Sequence, residues 1–337
     1  MDNTIKMDVK TIIKSIDFSE LDGKSILITG ASGLIGTYFL YTLYMINEKG
    51  YKLSSINIVI RNELPQFLRD IVTELKANVY KGDLSDDEFV NSLPFSDYII
   101  HAAGYGQPAR FVADADKTLK INTVVTFALL DKLNKNGKFL YTSSSAVYSG
   151  LIKDSFEEED IGITNTVHPR ACYIEGKKCG EAIINAYRLK GINAKAVRLS
   201  YTYGPGVREN DDRVLYSFIR KAKTGKIDML DNGKSERIYC YVSDAIEMMW
   251  KIFLFGKEAV YNVGGKEKIT ILEIAELISK YFDSELSVSN NQDGYLGSSC
   301  IERLSINKYE KEFSKKSFIS VKEGISRTIQ WFIEEQR

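Results

Sequence analysis

A chain of 337 residues has room for one large domain or two ordinary ones, and for a substantial core. Apolar residues at 44% and charged residues at 27% describe a globular chain and exclude a disordered one. The 45 basic residues equal the 45 acidic ones, so no global field draws in nucleic acid or an anionic membrane surface, and an anionic ligand has to be held by local groups.

Met1 to Glu20 mixes Asp, Lys and Glu among its apolar residues and lacks the continuous apolar core of a signal peptide. No apolar run reaches the roughly 18 residues of a membrane span. The four cysteines (Cys172, Cys179, Cys240, Cys300) show neither a zinc-type spacing nor the density of a secreted disulfide framework. The expectation is a cytoplasmic protein with no metal site and with neither nucleic acid nor a membrane as partner.

Lys24 to Gly30 reads as a short buried strand and Leu34 to Ile46 as a helix. Between them lies Gly30-Ala31-Ser32-Gly33-Leu34-Ile35-Gly36. Glycines at a strand-to-helix turn let a pyrophosphate approach the N–H groups of the helix start, where the dipole favours an anion. The candidate cradle is therefore Gly30, Ser32, Gly33, Leu34, Ile35 and Gly36, with a GxxGxxG spacing one residue wider at its first interval than the usual dinucleotide fingerprint.

Ser55 to Ile60 is a second strand and ends at Arg61, where an NAD site commonly offers an acidic group to the ribose. A basic residue there suits a 2′-phosphate and favours NADP over NAD, although an Arg can also stack on adenine. Ala77 to Tyr80 reads as a third strand; after it, Asp83 and Leu84 are candidate cofactor contacts, with Asp83 reaching the adenine amine or capping the next helix. The fourth strand, from Asp97, ends in Ala102, Ala103 and Gly104, small residues suited to close passage of a cofactor. His101 in that strand is read as packing. Tyr105, Gln107 and Arg110 follow and can line a pocket.

Lys117 to Lys132 is a helix candidate carrying Asn122, and Lys138 to Thr142 is a strand running into Ser143-Ser144-Ser145-Ala146-Val147-Tyr148. This alternation predicts an α/β fold, a doubly wound parallel sheet with its ligand crevice at the strands' carboxyl ends. Beyond Pro169, an amphipathic helix to about Lys190 places Tyr173 and Lys177 one turn apart on one face. There the ammonium favours a phenolate able to act as a base near neutral pH.

The second half opens with a strand, Ala194 to Leu199, and the turn Gly204-Pro205-Gly206. Arg208, Arg213 and Arg237 offer planar forks, two of which suffice for a diphosphate; Arg213 and Arg237 are the candidates. Ile227–Leu230 and Arg237–Val242 read as strands about the turn Asp231-Asn232-Gly233. Helices begin at Asp244, run from Ile269 to Phe282 behind Thr270, and run from Ser317 to Phe332. Residues 1–195 are expected to be mainly a dinucleotide-binding Rossmann domain. Residues 196–337 are expected to be mainly a smaller mixed α/β nucleotide-sugar-binding region, with interwoven segments.

The combination of Gly30/Gly33/Gly36, Asp83-Leu84, His101-Ala102-Ala103, Asn122, Ser144 before Val147-Tyr148, Tyr173-x-x-x-Lys177, Arg198, Tyr203-Gly204-Pro205, Arg237, Tyr241-Val242-x-Asp244 and Tyr261-Asn262-Val263-Gly264 resembles the extended short-chain dehydrogenase/reductase family, in its nucleotide-sugar epimerase/dehydratase branch. The resemblance runs from Lys24 to Trp331. The flanks Pro169 to Lys177 and Asp212-Arg213-Val214 are most similar to UDP-glucuronate decarboxylases.

The resemblance implies that Tyr173 exchanges a proton with a sugar hydroxyl, usually at C4, while hydride moves to or from a nicotinamide. It implies that Lys177 lowers the phenol pKa and holds the nicotinamide ribose, and that Ser144 hydrogen-bonds the same sugar oxygen. It places Asn122 at the cofactor and Ser145, Tyr148, Tyr201, Arg213 and Arg237 on the substrate side. It also implies a nucleotide-diphosphate sugar as substrate and a homodimer formed through the helices 117–132 and 173–190. The family's dehydratases carry an Asp-Glu pair after the Ser144 position and its decarboxylases a Glu; here Ser145 and Ala146 stand there. Tyr201 replaces a substrate-binding Asn. The reading is a 4-epimerase or 4-keto reductase. The alternatives are a 4,6-dehydratase, a UDP-glucuronate decarboxylase, or a non-catalytic nucleotide-binding regulator.

Overall fold

The first two strands are mainly apolar, and the structure buries them on both faces: every residue of β1 (Ser25–Thr29) and β2 (Ser55–Ile60) after the first is buried. Such strands need helices above and below. The computed structural model, which describes residues 3–208, 210–289, 291, 303–315 and 317–334, supplies them. Helix α1 (Asn3–Ser15) precedes β1, and α2 (Leu34–Glu48) joins β1 to β2. There follow α3 (Gln66–Glu74), β3 (Asn78–Lys81), α4 (Asp87–Ser92), β4 (Ser96–His101), α5 (Pro108–Ala113), α6 (Ala115–Asn122), α7 (Val124–Leu130), β5 (Leu133–Ser144), α8 (Ala171–Leu189) and β6 (Asn193–Leu199). The second half comprises β7 (Tyr201–Tyr203), α9 (Val214–Lys223), β8 (Lys226–Asp228), β9 (Glu236–Tyr241), α10 (Val242–Phe255), β10 (Val260–Val263), β11 (Lys268–Thr270), α11 (Ile271–Phe282), β12 (Glu285–Ser287), α12 (Asn307–Phe313) and α13 (Val321–Glu334).

Seven strands form the main sheet in the order β10-β6-β5-β4-β1-β2-β3, all parallel; Ile28 pairs with Ile58 on one side and Ile100 on the other. The order reverses between β1 and β4, which opens a crevice at their carboxyl ends. One apolar layer joins α1, α2, α3, α10 and α13 around Trp250, whose ring meets Phe18 and Phe39 edge-on. The other joins α4, α7 and α8 through Val90, Leu129 and Ile184. Because β10 closes the sheet beside β6, the main sheet draws on residues on both sides of position 195.

Three expectations need correction. The helix read over 117–132 is two helices, broken at Thr123 (φ −119°, ψ −80°), where Thr123, Val124 and Val125 form a β-branched run that is stiff in a helix. The turn at Asp231–Gly233 does form, with Asp231 Oδ1 accepting from the Gly233 N–H, but it joins no hairpin. β8 pairs with β12, and β9 pairs with β11 and β7. The last helix starts at Val321, whose N–H donates to Glu267. By contrast, α11 is capped by Thr270 as read, with Glu273 completing a reciprocal capping box.

Lys195 of β6 is 1% exposed, its ammonium held by Asn193 Oδ1 (2.5 Å) and the Phe253 carbonyl (3.3 Å). Burial first, and then the charges of Lys138 and Arg188, push its pKa down to about 7 from 10.5. A base whose folded pKa is depressed contributes stability above its unfolded pKa and loses it as pH falls toward the folded value. Lys195→Met is therefore expected to be more stable than the wild type at pH 7, with the gap narrowing as pH rises toward 10. Denaturant melts of both proteins across that range check this; a gap independent of pH would sink the assignment.

Candidate active site

The glycine turn after β1 is shaped by backbone approach. Gly30 has φ +70°, and a Cβ there would lie 2.6 Å from the Ala102 carbonyl oxygen; one on Gly36 would lie 2.4 Å from that of Gly30. These two glycines bring β1, β4 and α2 together. Gly33 is exposed, and as N-cap it gives α2 no side-chain cap. The first N–H groups of α2, at half-buried Leu34 and Ile35, thus keep the capacity to bind an anion.

Next to this turn, Thr29 Oγ1 accepts from the Ala103 N–H (3.3 Å) and shares a hydrogen bond with His101 Nδ1 (2.7 Å). The His101 Nε2–H donates to the Ile121 carbonyl (3.0 Å), so the ring is the Nε2–H tautomer and Thr29 donates to Nδ1. Burial pushes its pKa down to about 4. His101 thus aligns β1, β4 and α6 as a neutral packing residue and holds Ala102 and Ala103 along the crevice floor.

Helix α8 delivers Tyr173 and Lys177. The Tyr173 ring is half-buried and stacks on Phe111 of α5 (4.5 Å, 12°), which fixes its plane. Lys177 is 5% exposed. Its Nζ donates to the Thr142 carbonyl at the end of β5 (2.6 Å), sits 4.9 Å from the Tyr141 ring centre and 5.7 Å from that of Tyr173, and lies 3.9 Å from where a Gly104 Cβ would be. Burial, opposed by the Glu181 charge, pushes its pKa down to about 7. Half-buried Ser144 closes β5, and its Oγ accepts from the Ala146 N–H (3.2 Å). Tyr173, Lys177 and Ser144 therefore stand at the ends of α8 and β5 on the edge that also carries the glycine turn. A dinucleotide fits this edge: the helix start can take its pyrophosphate, and Gly104 leaves a shelf beside Lys177.

Asn122, expected at the cofactor, is 1% exposed. Its Nδ2 donates to the Thr118 carbonyl (2.7 Å) and its Oδ1 accepts from Tyr141 OH (3.0 Å), so it fixes the ring beneath Lys177. Leu84 is buried in the apolar layer. Asp83 bonds Ser85 and pairs with Lys117 (3.1 Å), while Asp86 caps α4. Burial raises the Asp83 pKa, but Ser85 and Lys117 outweigh it and hold the group below its ordinary value.

On the expected substrate side, Ser145 is buried directly beside Ser144. Tyr148 does not face a pocket: it is 1% exposed, stacks on Phe156 (5.0 Å), donates to Asn262 Oδ1 (2.7 Å) and accepts from Arg198 Nη1 (2.8 Å). Arg198 forms a buried ion pair with Glu181 (2.7 Å), to which Ser143 Oγ also donates (2.5 Å). Arg213 is bound by Asp211 and the Thr202 carbonyl, and the Arg237 guanidinium lies 5.7 Å from the ring centre of Tyr201, which is 37% exposed. Asp244, a motif residue, is structural: Lys315 (2.8 Å) and the Ile319 N–H (2.9 Å) anchor the following segment to it. His168 is exposed and its Nδ1 accepts from the Arg170 N–H in a local turn (3.1 Å). Arg61 donates to Tyr105 OH (2.5 Å), and Arg208, read only as one of three spaced arginines, reaches Ser32 Oγ (2.8 Å). Among the described residues, no group of three or more His, Cys, Asp or Glu is placed to hold a metal, and no helix is long and apolar enough to cross a membrane.

A doubly wound parallel sheet with a glycine turn after its first strand, and Ser, Tyr and Lys at the ends of β5 and α8, is the arrangement of a dinucleotide-dependent dehydrogenase/reductase of the extended short-chain class. The chain belongs to the NAD dependent epimerase/dehydratase family, whose sequence model matches residues 26–264. It is 29% identical over 330 residues to UDP-glucuronic acid decarboxylase 1 of Danio rerio, covering 94% of this chain and 74% of that one. Its fold is shared with the UDP-glucose 4-epimerase of Thermotoga maritima solved with UDP-glucose (TM-score 0.78, 22% identity, 93% of this chain and 100% of that chain). It is likewise shared with MoeE5 in complex with UDP-glucuronic acid and NAD (TM-score 0.73, 20% identity, 92% and 99%).

Proposed function

We propose that this enzyme moves hydride and a proton at C4 of a nucleotide-linked sugar, as a 4-epimerase or 4-keto reductase. The observation that carries this reading is the pair of residues after Ser144: Ser145 and Ala146 are buried at 6% and 4% exposure, and neither is a carboxylate. Elimination of water from C5 and C6, or loss of carbon dioxide with carboxylate assistance, needs an acid or base that this position does not supply. The nearby Glu181 is locked between Arg198 and Ser143. Chemistry confined to C4 needs only what is present. Tyr173 takes or returns the hydroxyl proton, Ser144 donates to the same oxygen as its charge develops, and protonated Lys177 places positive charge beside the phenol. The bound nicotinamide supplies hydride transfer.

The decarboxylase relatives support a second reading, in which this chain releases carbon dioxide from a nucleotide-linked uronic acid without the usual Glu. A turnover panel of UDP-, dTDP-, GDP- and CDP-sugars with both nicotinamide cofactors, followed by mass spectrometry, separates the two. A C4-inverted or C4-reduced product is expected; a pentose product or a 4-keto-6-deoxy product would overturn the C4 assignment. A homodimer is proposed through α6, α7 and α8, which expose Leu119, Val124, Phe127 and Leu189. Light scattering tests this, and a monomeric mass would refute it.

A further inference from the structure

Phe111 carries no polar group and stands in none of the motifs that mark the site, yet its ring lies flat on that of Tyr173, with centres 4.5 Å apart and planes 12° from parallel. Tyr173 needs such a neighbour. Helical side chains lean toward the helix N-terminus and rest on the preceding turn. Helix α8 starts at Ala171, so Tyr173 is only its third residue and no helical turn precedes it. The ring also turns broadly about χ2, which leaves the phenol oxygen on the rotation axis but swings the plane in which the O–H lies. Support for both angles has to come from another element, and α5 supplies it.

At six residues, α5 is too short to hold its place as an isolated helix. It is anchored at Phe111. That side chain is 2% exposed in the apolar layer shared with α4, α7 and α8. Its carbonyl accepts from Thr118 Oγ1 on α6 (3.2 Å) and from Cys172 Sγ on α8 (3.3 Å). Cys172 immediately precedes Tyr173, so a single residue of α5 is tied to the helix that carries the phenol and also covers the phenol's face. Each ring of the pair has a cation against it: the Arg170 guanidinium lies 5.9 Å from the Phe111 centre, and Lys177 Nζ lies 5.7 Å from that of Tyr173.

Resting on the reading of Tyr173 as the proton-transferring group, we propose that Phe111 is a positioning residue for the reaction. Its ring face holds the phenol in the orientation from which a proton passes to or from the sugar oxygen that Ser144 also binds. Phe111 touches neither sugar nor nicotinamide in this role and acts only through Tyr173. The effect is large because a misplacement of about 1 Å at a reacting group can cost about 100-fold in rate.

Phe111→Leu keeps a buried apolar side chain and removes the flat face; Phe111→Met, of similar volume, replaces it in the comparison if the leucine variant lowers the thermal melt. On whichever UDP-, dTDP-, GDP- or CDP-sugar the wild type turns over, the substitution is expected to lower kcat by about 10- to 100-fold and to change KM by less than about 3-fold. Affinities for NADH and NADPH, read by fluorescence titration, should move by less than about 3-fold. In a Tyr173→Phe background the same substitution should change the residual turnover by less than about 2-fold, because no phenol is left to orient. Equal losses in the two backgrounds would make Phe111 a packing residue only and overturn the proposal, as would a rise in KM alone or an unchanged kcat. Proton NMR of the substrate-free enzyme adds a check without turnover: the Tyr173 ring signals, assigned by their loss in Tyr173→Phe, should be shifted upfield by the Phe111 ring and move back downfield in Phe111→Leu. Unshifted wild-type signals would also overturn it. Full turnover by Tyr173→Phe would instead remove the role of Tyr173 on which the proposal rests.

Discussion

Tyr173→Phe is expected to lower kcat by about 100- to 10,000-fold on whichever nucleotide sugar the wild type turns over, because it deletes the proton-transferring oxygen and little else. The ring keeps its stack on Phe111, so circular dichroism and dinucleotide binding should be unchanged. Ser144→Ala should cost about 100-fold, the worth of one donor to a developing oxyanion, and the two losses should not add fully because both groups act on one oxygen. A Tyr173→Phe enzyme retaining a tenth of wild-type turnover would remove Tyr173 from the reaction and leave α8 a purely structural helix. It would also revive the alternative of a non-catalytic nucleotide-binding protein.

The second large effect concerns stability. Arg198 and Glu181 are a buried ion pair, with side chains 3% and 8% exposed, and Ser143, Tyr148 and the carbonyls of Glu158 and Asp160 complete the network. Removing one partner leaves the other charge buried and uncompensated, so Arg198→Leu should destabilise by about 3–5 kcal/mol. The double substitution Arg198→Leu with Glu181→Leu should be less destabilising than the single one, since neither charge then remains. Urea unfolding of the three proteins decides the matter; a single variant within about 1 kcal/mol of wild type would mean that water reaches the site.

Much of the scaffold was legible because its signals are local. The glycine turn, the apolar runs of β1, β2 and β4 and the Tyr173/Lys177 spacing each lie within a few residues, and the sheet edge follows from their alternation. What stayed hidden depends on residues far apart in the chain. Arg208 meets a partner 176 positions away, and nothing in its immediate sequence separates it from Arg213 or Arg237. Motif membership also did not reveal burial. Tyr148, Asn122 and Asp244 match family positions, and the structure turns each inward to hold neighbouring elements, whereas the resemblance implied a substrate contact for Tyr148 and a cofactor contact for Asn122. The failed hairpin at Asp231–Gly233 has the same cause: turn chemistry specifies a change of direction, while tertiary pairing decides which strands meet.

Asp8 of α1 has a further consequence. Its carboxylate is 1% exposed and accepts from Tyr38 OH on α2 (2.8 Å), Tyr241 OH at the end of β9 (2.7 Å) and Arg327 on α13 (2.6 Å). One side chain thus ties the first crossover helix to the second half of the chain at two points. Such a strap opposes hinge opening between the first crossover helix and the second half of the chain, because any such movement would have to break three hydrogen bonds to one buried group.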